Sequence, residues 1–141
     1  MFIYRKLENF VYNIIENEED IKPFLTKWLG REWRIDNKEH PDQAWTKEWL
    51  TQLPNLNFKL TIIDIEEIKP RKELMNYKKG GHSFRDELKE RVKEREESIL
   101  RGISIEPLVV RQSDMELMDG YTRYFVLKKL GKKKVYAYVG K

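Results

Sequence analysis

ELMDGYTRY, residues 116–124, combines a short apolar strand, an Asp-Gly turn and the start of a helix that ends at Gly131. A strand, a glycine turn and a helix in this order aim free backbone N–H groups at an anion. Arg123 falls in the first helical turn, where its guanidinium fork could close over the same anion. The stretch therefore predicts a phosphate-binding turn. The same residues also fit an ordinary turn in which Arg123 pairs with Asp119.

Length and composition limit the class of protein. The chain has 141 residues, 40% of them hydrophobic, which is typical of one globular domain with a substantial core. It contains no cysteine, which excludes disulfides, thiolate metal sites and a cysteine nucleophile. No apolar run is long enough to span a bilayer, and no signal peptide follows Met1. We therefore expect a cytoplasmic protein without a membrane partner, and the sequence offers no metal-ligating cluster.

Charge is unevenly distributed between the two parts of the chain. Residues 1–57 carry 8 Lys/Arg and 10 Asp/Glu, a net −2, whereas residues 58–141 carry 20 and 14, a net +6. The basic part contains the predicted phosphate turn. This distribution fits an anionic ligand such as a nucleotide or a nucleic acid, although a surplus of this size is equally typical of a soluble surface.

Residues 1–57 are predicted to form a helical N-terminal extension packed on the core. Apolar residues recur at helical spacing in 7–15, then in 21–29 between an Asp20 N-cap and a Gly30 stop, and again in 41–53. Four tryptophans lie here, and their helical spacing favours packing over stacking on a base. His40, before Pro41, is predicted to be a loop residue.

Residues 58–141 predict an α+β domain with a small mixed β-sheet. Alternation from Phe58 to Ile62 indicates a strand, and Ser83 with Asp86 forms a capping box that opens a long helix to Leu100. A hairpin within residues 105–118, the helix after Gly120 and a last strand at residues 135–139 complete a β-α-β-β-α-β order.

Three segments in this order resemble the ParB/sulfiredoxin-like superfamily: IEEIKPR at 65–71, SILRGISIEPLVV at 98–110, and MDGYTRY at 118–124 with the closing Lys-Leu-Gly and strand. The resemblance covers residues 58–141 and leaves the first 57 unmatched. It implies a small mixed-sheet domain in which a Gly-x-x-Arg turn binds the phosphates of a nucleotide.

The Asp-Gly-x-x-Arg form also resembles the free serine kinases of this superfamily. The resemblance implies that Gly120, Tyr121, Thr122 and Arg123 bind ATP or ADP, with CTP as a further option. It also implies that Asp119 holds Mg²⁺ or orients the acceptor hydroxyl of a small molecule. A carboxylate after the first strand would act as base; Glu73 is closest in position, with Glu66 and Glu67 as alternatives.

The sequence departs from the superfamily pattern in three ways. Kinase-type relatives usually carry His where this chain has Tyr121, which puts one side-chain contact in doubt. Sulfiredoxins require cysteine at that position, so sulfiredoxin activity is excluded. Partition proteins follow this domain with a helix-turn-helix module, and because the chain ends at Lys141, we expect no sequence-specific DNA recognition of that kind.

Three functions therefore stay open from the sequence. The first is a nucleotide-dependent phosphotransferase. The second is a DNA-binding ParB-like protein or nuclease, whose contacts to phosphate would come from a lysine cluster at Lys128, Lys129, Lys132, Lys133 and Lys134. The third is a non-catalytic module whose N-terminal helices bind a protein partner or form a homodimer.

Overall fold

The computed structural model describes residues 2–141 and shows eight strands and five α-helices over this range. The first part contains β1 (Phe2–Leu7), β2 (Phe10–Ile15), α1 (Glu18–Glu39) and α2 (Ala44–Gln52). The middle part contains β3 (Phe58–Asp64), α3 (Lys72–Met75), β4 (Lys78–Lys79), β5 (His82–Ser83) and α4 (Phe84–Leu100). The last part contains β6 (Leu108–Arg111), β7 (Glu116–Asp119), α5 (Tyr121–Lys129) and β8 (Lys134–Gly140).

The main sheet has four strands in the order β3-β8-β6-β7. Strand β8 pairs antiparallel with β3 and parallel with β6, and β6 and β7 form an antiparallel hairpin. Strands β6 and β8 are almost wholly buried, as expected for central strands between covered faces. The predicted α+β class and mixed sheet are confirmed, and between β3 and α4 the structure adds α3 and the short β4–β5 hairpin to the predicted order of elements.

Residues 2–15 form a β-hairpin, so the predicted helix at residues 7–15 is wrong. Glu8 and Asn9 both have positive φ, 48° and 71°, and make a two-residue turn in which Leu7 pairs with Phe10. Such turns match the twist of the flanking strands. The apolar residues from Val11 to Ile15 are mainly β-branched and aromatic, which suits a strand, and their spacing fitted a helix by coincidence.

Helix α1 is longer than predicted at both ends. Asn17 is the N-cap, and its side chain accepts a hydrogen bond from the Glu19 N–H. Gly30 does not end the helix; it is buried at mid-helix, and an added Cβ would lie 3.2 Å from Arg34 Nη1 and 3.9 Å from Leu53 Cδ2. The predicted helix stop at Gly30 is therefore wrong. The third predicted helix is present as α2.

The N-terminal segment contacts the main sheet directly. The Ile15 N–H donates to the Tyr138 hydroxyl at 2.9 Å, and the rings of Tyr12 and Tyr136 meet edge to face at 5.0 Å. The Trp33 and Trp49 rings pack against each other at 5.6 Å. Trp33, Trp45 and Trp49 are buried, as packing residues should be. The division of the chain at residue 57 stays a prediction. No helix in residues 2–141 is long and apolar enough to cross a membrane.

Candidate functional site

The first turn of α5 leaves backbone donors free. Gly120 is the N-cap in the left-handed conformation, with φ 97°, and no side chain caps this end of the helix. The Tyr124 N–H donates to the Gly120 carbonyl at 2.8 Å, whereas within residues 2–141 the N–H groups of Tyr121, Thr122 and Arg123 have no acceptor. Three free donors with the positive end of a helix dipole form an anion-binding geometry.

Arg123 lies directly over this turn. Its Nη2 donates to the Pro107 carbonyl at 3.2 Å and to Asp119 Oδ2 at 3.3 Å, so the alternative pairing of Arg123 with Asp119 is present. Its Nε is buried and has no hydrogen-bond partner within residues 2–141. An added Cβ at Gly120 would lie 2.8 Å from Arg123 Nη2 and from Leu108 Cδ2. Glycine is therefore required both for its φ and for the approach of the guanidinium.

The turn opens into a cavity of about 390 Å³, hereafter the turn cavity. Its walls come from α1, α2, α4 and the turn itself, and its polar lining includes Glu32, Asp36, His40, Glu87, Arg91, Asp119, Thr122 and Arg123. The volume lies within the range of about 300–1,000 Å³ that is usual for ligand pockets. The N-terminal helices thus form one side of the predicted site.

Carboxylates in the turn cavity lie in an environment that disfavours their charge. Burial raises the pKa of Asp119, and the neighbouring Arg123 only partly offsets this. Burial, followed by the charge of Asp119, raises the pKa of Glu32. Burial also raises the pKa of Asp36, against the effect of His40. These three carboxyl groups are therefore easier to protonate than exposed ones.

The predicted base lies outside the turn cavity. Glu73, on α3, is largely exposed and pairs with Arg71 at 3.2 Å, whereas its neighbour Leu74 lines the turn cavity. Glu66 and Glu67 lie in a single 3-10 turn after β3 and are likewise absent from the lining. The structure therefore places Asp119 and residues 120–123 together, but not Glu73 with them.

Tyr121 has a packing role for its side chain. Its hydroxyl donates to the Leu117 carbonyl at 2.8 Å and accepts from the Arg71 N–H at 2.9 Å. Its ring meets that of Phe84 edge to face at 5.8 Å, and burial raises the pKa of its hydroxyl. Only the backbone of Tyr121 is left to serve a ligand.

A second group of charges, the Arg71–Arg111 network, lies behind the turn cavity and was missed in the sequence. Arg111 is 9% exposed and contacts carboxylates from two elements, with Asp114 at 2.8 Å and Glu116 at 3.0 Å. Arg71 contacts Glu116 as well, at 3.2 Å. Both arginines also contact Glu48 on α2, and the network is completed by Gln52 and by Trp49, whose indole N–H donates to Glu116 at 2.9 Å. It fastens α2 to the hairpin of β6 and β7.

The lysine cluster is largely engaged with the protein itself. Lys129 pairs with Glu96 at 2.7 Å and Lys134 pairs with Asp64 at 2.7 Å. Lys132 donates to the Glu8 carbonyl at 2.7 Å, and Lys128 donates to the Tyr124 hydroxyl at 3.3 Å. Lys133 is the one member of this cluster whose ammonium has no partner within residues 2–141. Lys128, Lys129, Lys133 and Lys134 are nevertheless exposed, and DNA binding stays an untested prediction.

Glu32, Asp36 and His40 are lining residues that sequence reasoning overlooked. They follow one another at intervals of four along α1, on the face that borders the turn cavity. His40 is the C-cap of α1, not a residue of a free loop, and its buried Nδ1 has no partner within residues 2–141. The sequence prediction ended the helix at Gly30, so this spacing was not considered. A helix continued beyond Leu29 would have placed these three residues on one face.

Comparisons with known proteins concern the fold. No protein-family model matches the sequence, and no curated protein is significantly similar to it. Similar solved structures include one form of the pNOB8-like ParB N-domain, with 26% identity and a TM-score of 0.45 over 60% of this chain, and another pNOB8-like ParB N-domain, with 30% identity and a TM-score of 0.43 over 60%. This chain spans only 30% and 28% of those two chains.

A third similar structure is sulfiredoxin from Arabidopsis thaliana. It has 20% identity and a TM-score of 0.41, and the match covers 57% of this chain and 83% of that chain. Two of the three similar structures are thus ParB N-domains and one is a sulfiredoxin, and all three TM-scores lie between 0.41 and 0.45.

Proposed function

We propose that the protein binds a nucleotide through its phosphates at the first turn of α5. The observation that carries the proposal is the set of three free N–H groups at Tyr121, Thr122 and Arg123, covered by a guanidinium with a buried, unpartnered Nε. The several oxygens of a phosphate group could accept from these donors with charge-assisted hydrogen bonds. The turn cavity leaves room for the remainder of the ligand against α1 and α2.

Mg²⁺ suits the acidic lining of the turn cavity. Within residues 2–141 no group of three or more His, Asp or Glu side chains is placed to hold a metal ion. Mg²⁺ with a nucleotide, however, usually needs only one or two protein carboxylates, because the phosphates and water supply the other ligands. Asp119, beside the turn, would be the carboxylate in contact, and Glu32 and Asp36 would add negative charge nearby. The bound cation would neutralise phosphate charge.

The finer proposal is transfer of a phosphoryl group from ATP or ADP to the hydroxyl of a small molecule. In such transfers proteins mainly position the reactants and stabilise charge, so a covalent nucleophile is unnecessary. Arg123 and the N–H groups would hold the transferring phosphate, and Asp119 would orient the acceptor hydroxyl. Glu73 would need to leave its pairing with Arg71 before it could accept the hydroxyl proton.

A ligand screen tests nucleotide binding directly. ATP, ADP, CTP and AMP, each with Mg²⁺, are compared by thermal shift and calorimetry on wild type, on Arg123→Ala and on Arg101→Ala, which alters an exposed arginine. Binding raises Tm by mass action. We expect Arg123→Ala to weaken binding by about tenfold to one-hundredfold, the value of a charge-assisted hydrogen bond, and Arg101→Ala to leave it unchanged. An affinity that is unchanged in Arg123→Ala would refute the proposal.

A turnover assay with ATP or ADP and hydroxyl compounds then tests the finer proposal. Glu73→Gln should abolish turnover while nucleotide affinity stays unchanged. Retained turnover would transfer the role of base from Glu73 to an acid that lines the turn cavity.

A further inference from the structure

A separate groove lies on the other side of α4 from the turn cavity. This α4 groove has a volume of about 1010 Å³ between α4, α3 and α5. Its apolar lining consists of Met75, Leu88, Val92 and Phe125. Met75 and Leu88 are buried, whereas Val92 and Phe125 are partly exposed, so Val92 and Phe125 form the exposed apolar floor of the groove.

Cations border this floor in a regular row. Arg85, Lys89 and Lys93 follow one another at intervals of four along α4, and Lys78 stands across from them on β4. Within residues 2–141 the ammonium groups of Lys78, Lys89 and Lys93 form no ion pair or hydrogen bond, and Arg85 contacts only Asn76, at 3.5 Å. Like charges at this spacing repel each other on a helix.

Acidic residues of the rim are mostly neutralised by other partners. Glu96 pairs with Lys129 at 2.7 Å, and Glu97 pairs with Arg101 at 3.7 Å. Asp86 is the remaining rim acid. The unpaired charge around the α4 groove is therefore positive, and it is arranged above an apolar floor.

We propose that the α4 groove binds an acidic amphipathic helix of a partner protein. The apolar face of such a helix would cover Val92 and Phe125, and its carboxylates would meet Lys89 and Lys93. The lining residues of α4 run from Arg85 to Glu97, which at 1.5 Å per residue is about 18 Å, or about three helical turns. This is the helix-in-groove mode of recognition.

An apolar floor distinguishes this occupant from a nucleic acid. A phosphate backbone would use the lysines but would gain nothing from burying Val92 and Phe125. The residues that border the groove belong chiefly to helices, so an added β-strand would find no long sheet edge there. Charge and shape together favour an acidic helix.

The test uses the full chain labelled with ¹⁵N and a synthetic three-turn peptide with Leu at helical spacing and Glu elsewhere. We expect saturable binding by fluorescence anisotropy and amide shifts confined to the α4 groove. A matched peptide with Lys in place of Glu should not bind. Lys89→Glu/Lys93→Glu should reduce the affinity for the Glu peptide at least tenfold. Lys27→Glu/Lys38→Glu, which makes the same charge change at exposed positions of α1, should leave binding within twofold.

Several results would overturn the proposal. Amide shifts outside the groove, or equal affinity in Lys89→Glu/Lys93→Glu, would exclude the α4 groove as the site. A single-stranded oligonucleotide that binds through these lysines while the Glu peptide does not would replace the helix by a nucleic acid. A concentration-dependent dimer lost in the same double variant would make a second copy the occupant. Val92→Asp tests whether the apolar floor contributes to binding. If that variant misfolds, Lys89→Glu/Lys93→Glu still tests the site, because both lysines are exposed.

Discussion

Two clusters of arginine and carboxylate lie close together in this protein, and they are built in opposite ways. In the Arg71–Arg111 network each guanidinium meets several carboxylates, and the pKa of Glu48 and of Asp114 is lowered by these arginines. In the turn cavity, Arg123 retains an unpartnered Nε, and burial raises the pKa of Asp119. In the first cluster the charged groups are paired with one another. In the second cluster a hydrogen-bond donor and buried charge are left for a ligand. Unsatisfied buried polarity points to a ligand site, whereas satisfied polarity points to a structural joint.

The largest effect is expected from breaking the satisfied cluster. Arg111→Met removes the guanidinium that joins Glu48, Asp114 and Glu116, and leaves negative charge in a partly buried place. We expect the free energy of unfolding to fall by about 3–5 kcal/mol, as for other broken buried ion pairs. Urea unfolding measures this change. The exposed substitution Arg101→Met should cost less than about 1 kcal/mol. An equal loss in Arg111→Met and Arg101→Met would show that the Arg71–Arg111 network does not stabilise the fold.

Gly120→Ala should affect both stability and ligand binding. The added Cβ lies 2.8 Å from Arg123 Nη2 and Leu108 Cδ2, and the alanine must keep the positive φ of Gly120. We therefore expect the free energy of unfolding to fall by about 1–2 kcal/mol from the backbone conformation alone. Displacement of the guanidinium should also reduce nucleotide affinity, measured by calorimetry. Gly102→Ala is the matched control, because its φ is 90° and its Cβ would meet nothing. If both variants bind nucleotide equally, the crowding at Gly120 has no role in the site.

The two clusters should respond oppositely to acid. Raised pKa values at Asp119, Glu32 and Asp36 mean that the folded state binds protons more tightly than the unfolded state, so Tm should rise as the pH falls from 7 and these carboxyl groups take up protons. The lowered pKa values at Glu48 and Asp114 stabilise the fold above about pH 4, and this contribution is lost as the pH falls further.

A Tm profile against pH measures both effects. Asp119→Asn should reduce the rise in Tm on mild acidification. The fall in Tm below about pH 4 should remain in this variant. A wild-type Tm that falls steadily from pH 7 downwards would contradict the assignment of the acid-stabilised groups to the turn cavity.

The smallest effect is expected at Glu73. Its carboxylate is 59% exposed and pairs with only one arginine, so Glu73→Gln should change the free energy of unfolding by less than about 0.5 kcal/mol and should not alter nucleotide affinity. Urea unfolding and calorimetry measure these quantities. A large loss of nucleotide affinity would show that Glu73 moves into the turn cavity when the ligand binds.

Local patterns made residues 58–141 predictable. The Ser83 hydroxyl accepts from the Asp86 N–H at 3.1 Å as the capping box requires, and Gly120 has the positive φ that an Asp-Gly turn indicates. The turn that is predicted to bind phosphate could therefore be located from the sequence, because its residues are contiguous and its geometry depends on one glycine. Whether a nucleotide binds there stays a prediction.

Long-range placement made the remainder unpredictable. The hairpin of β1 and β2 has apolar spacing that fits a helix equally well, and only its pairing and its contacts with the sheet decide between them. The Arg71–Arg111 network joins Glu48 to Arg111 across 63 residues, and no spacing rule links such positions. Glu73 was placed by sequence position after β3, yet the direction of α3 turns it away from the turn cavity.

The hairpin at residues 2–15 has a consequence for the order in which the chain folds. Its backbone bonds to Tyr138 across 123 residues, and the Glu8 carboxylate accepts from the backbone of Lys133 and Lys134 across 125 and 126 residues. During synthesis β1 and β2 therefore leave the ribosome well before β8, the strand that they contact. Contacts of such long sequence separation slow folding, and until β8 emerges the exposed edges of the hairpin are a site where a chaperone or another nascent chain can attach.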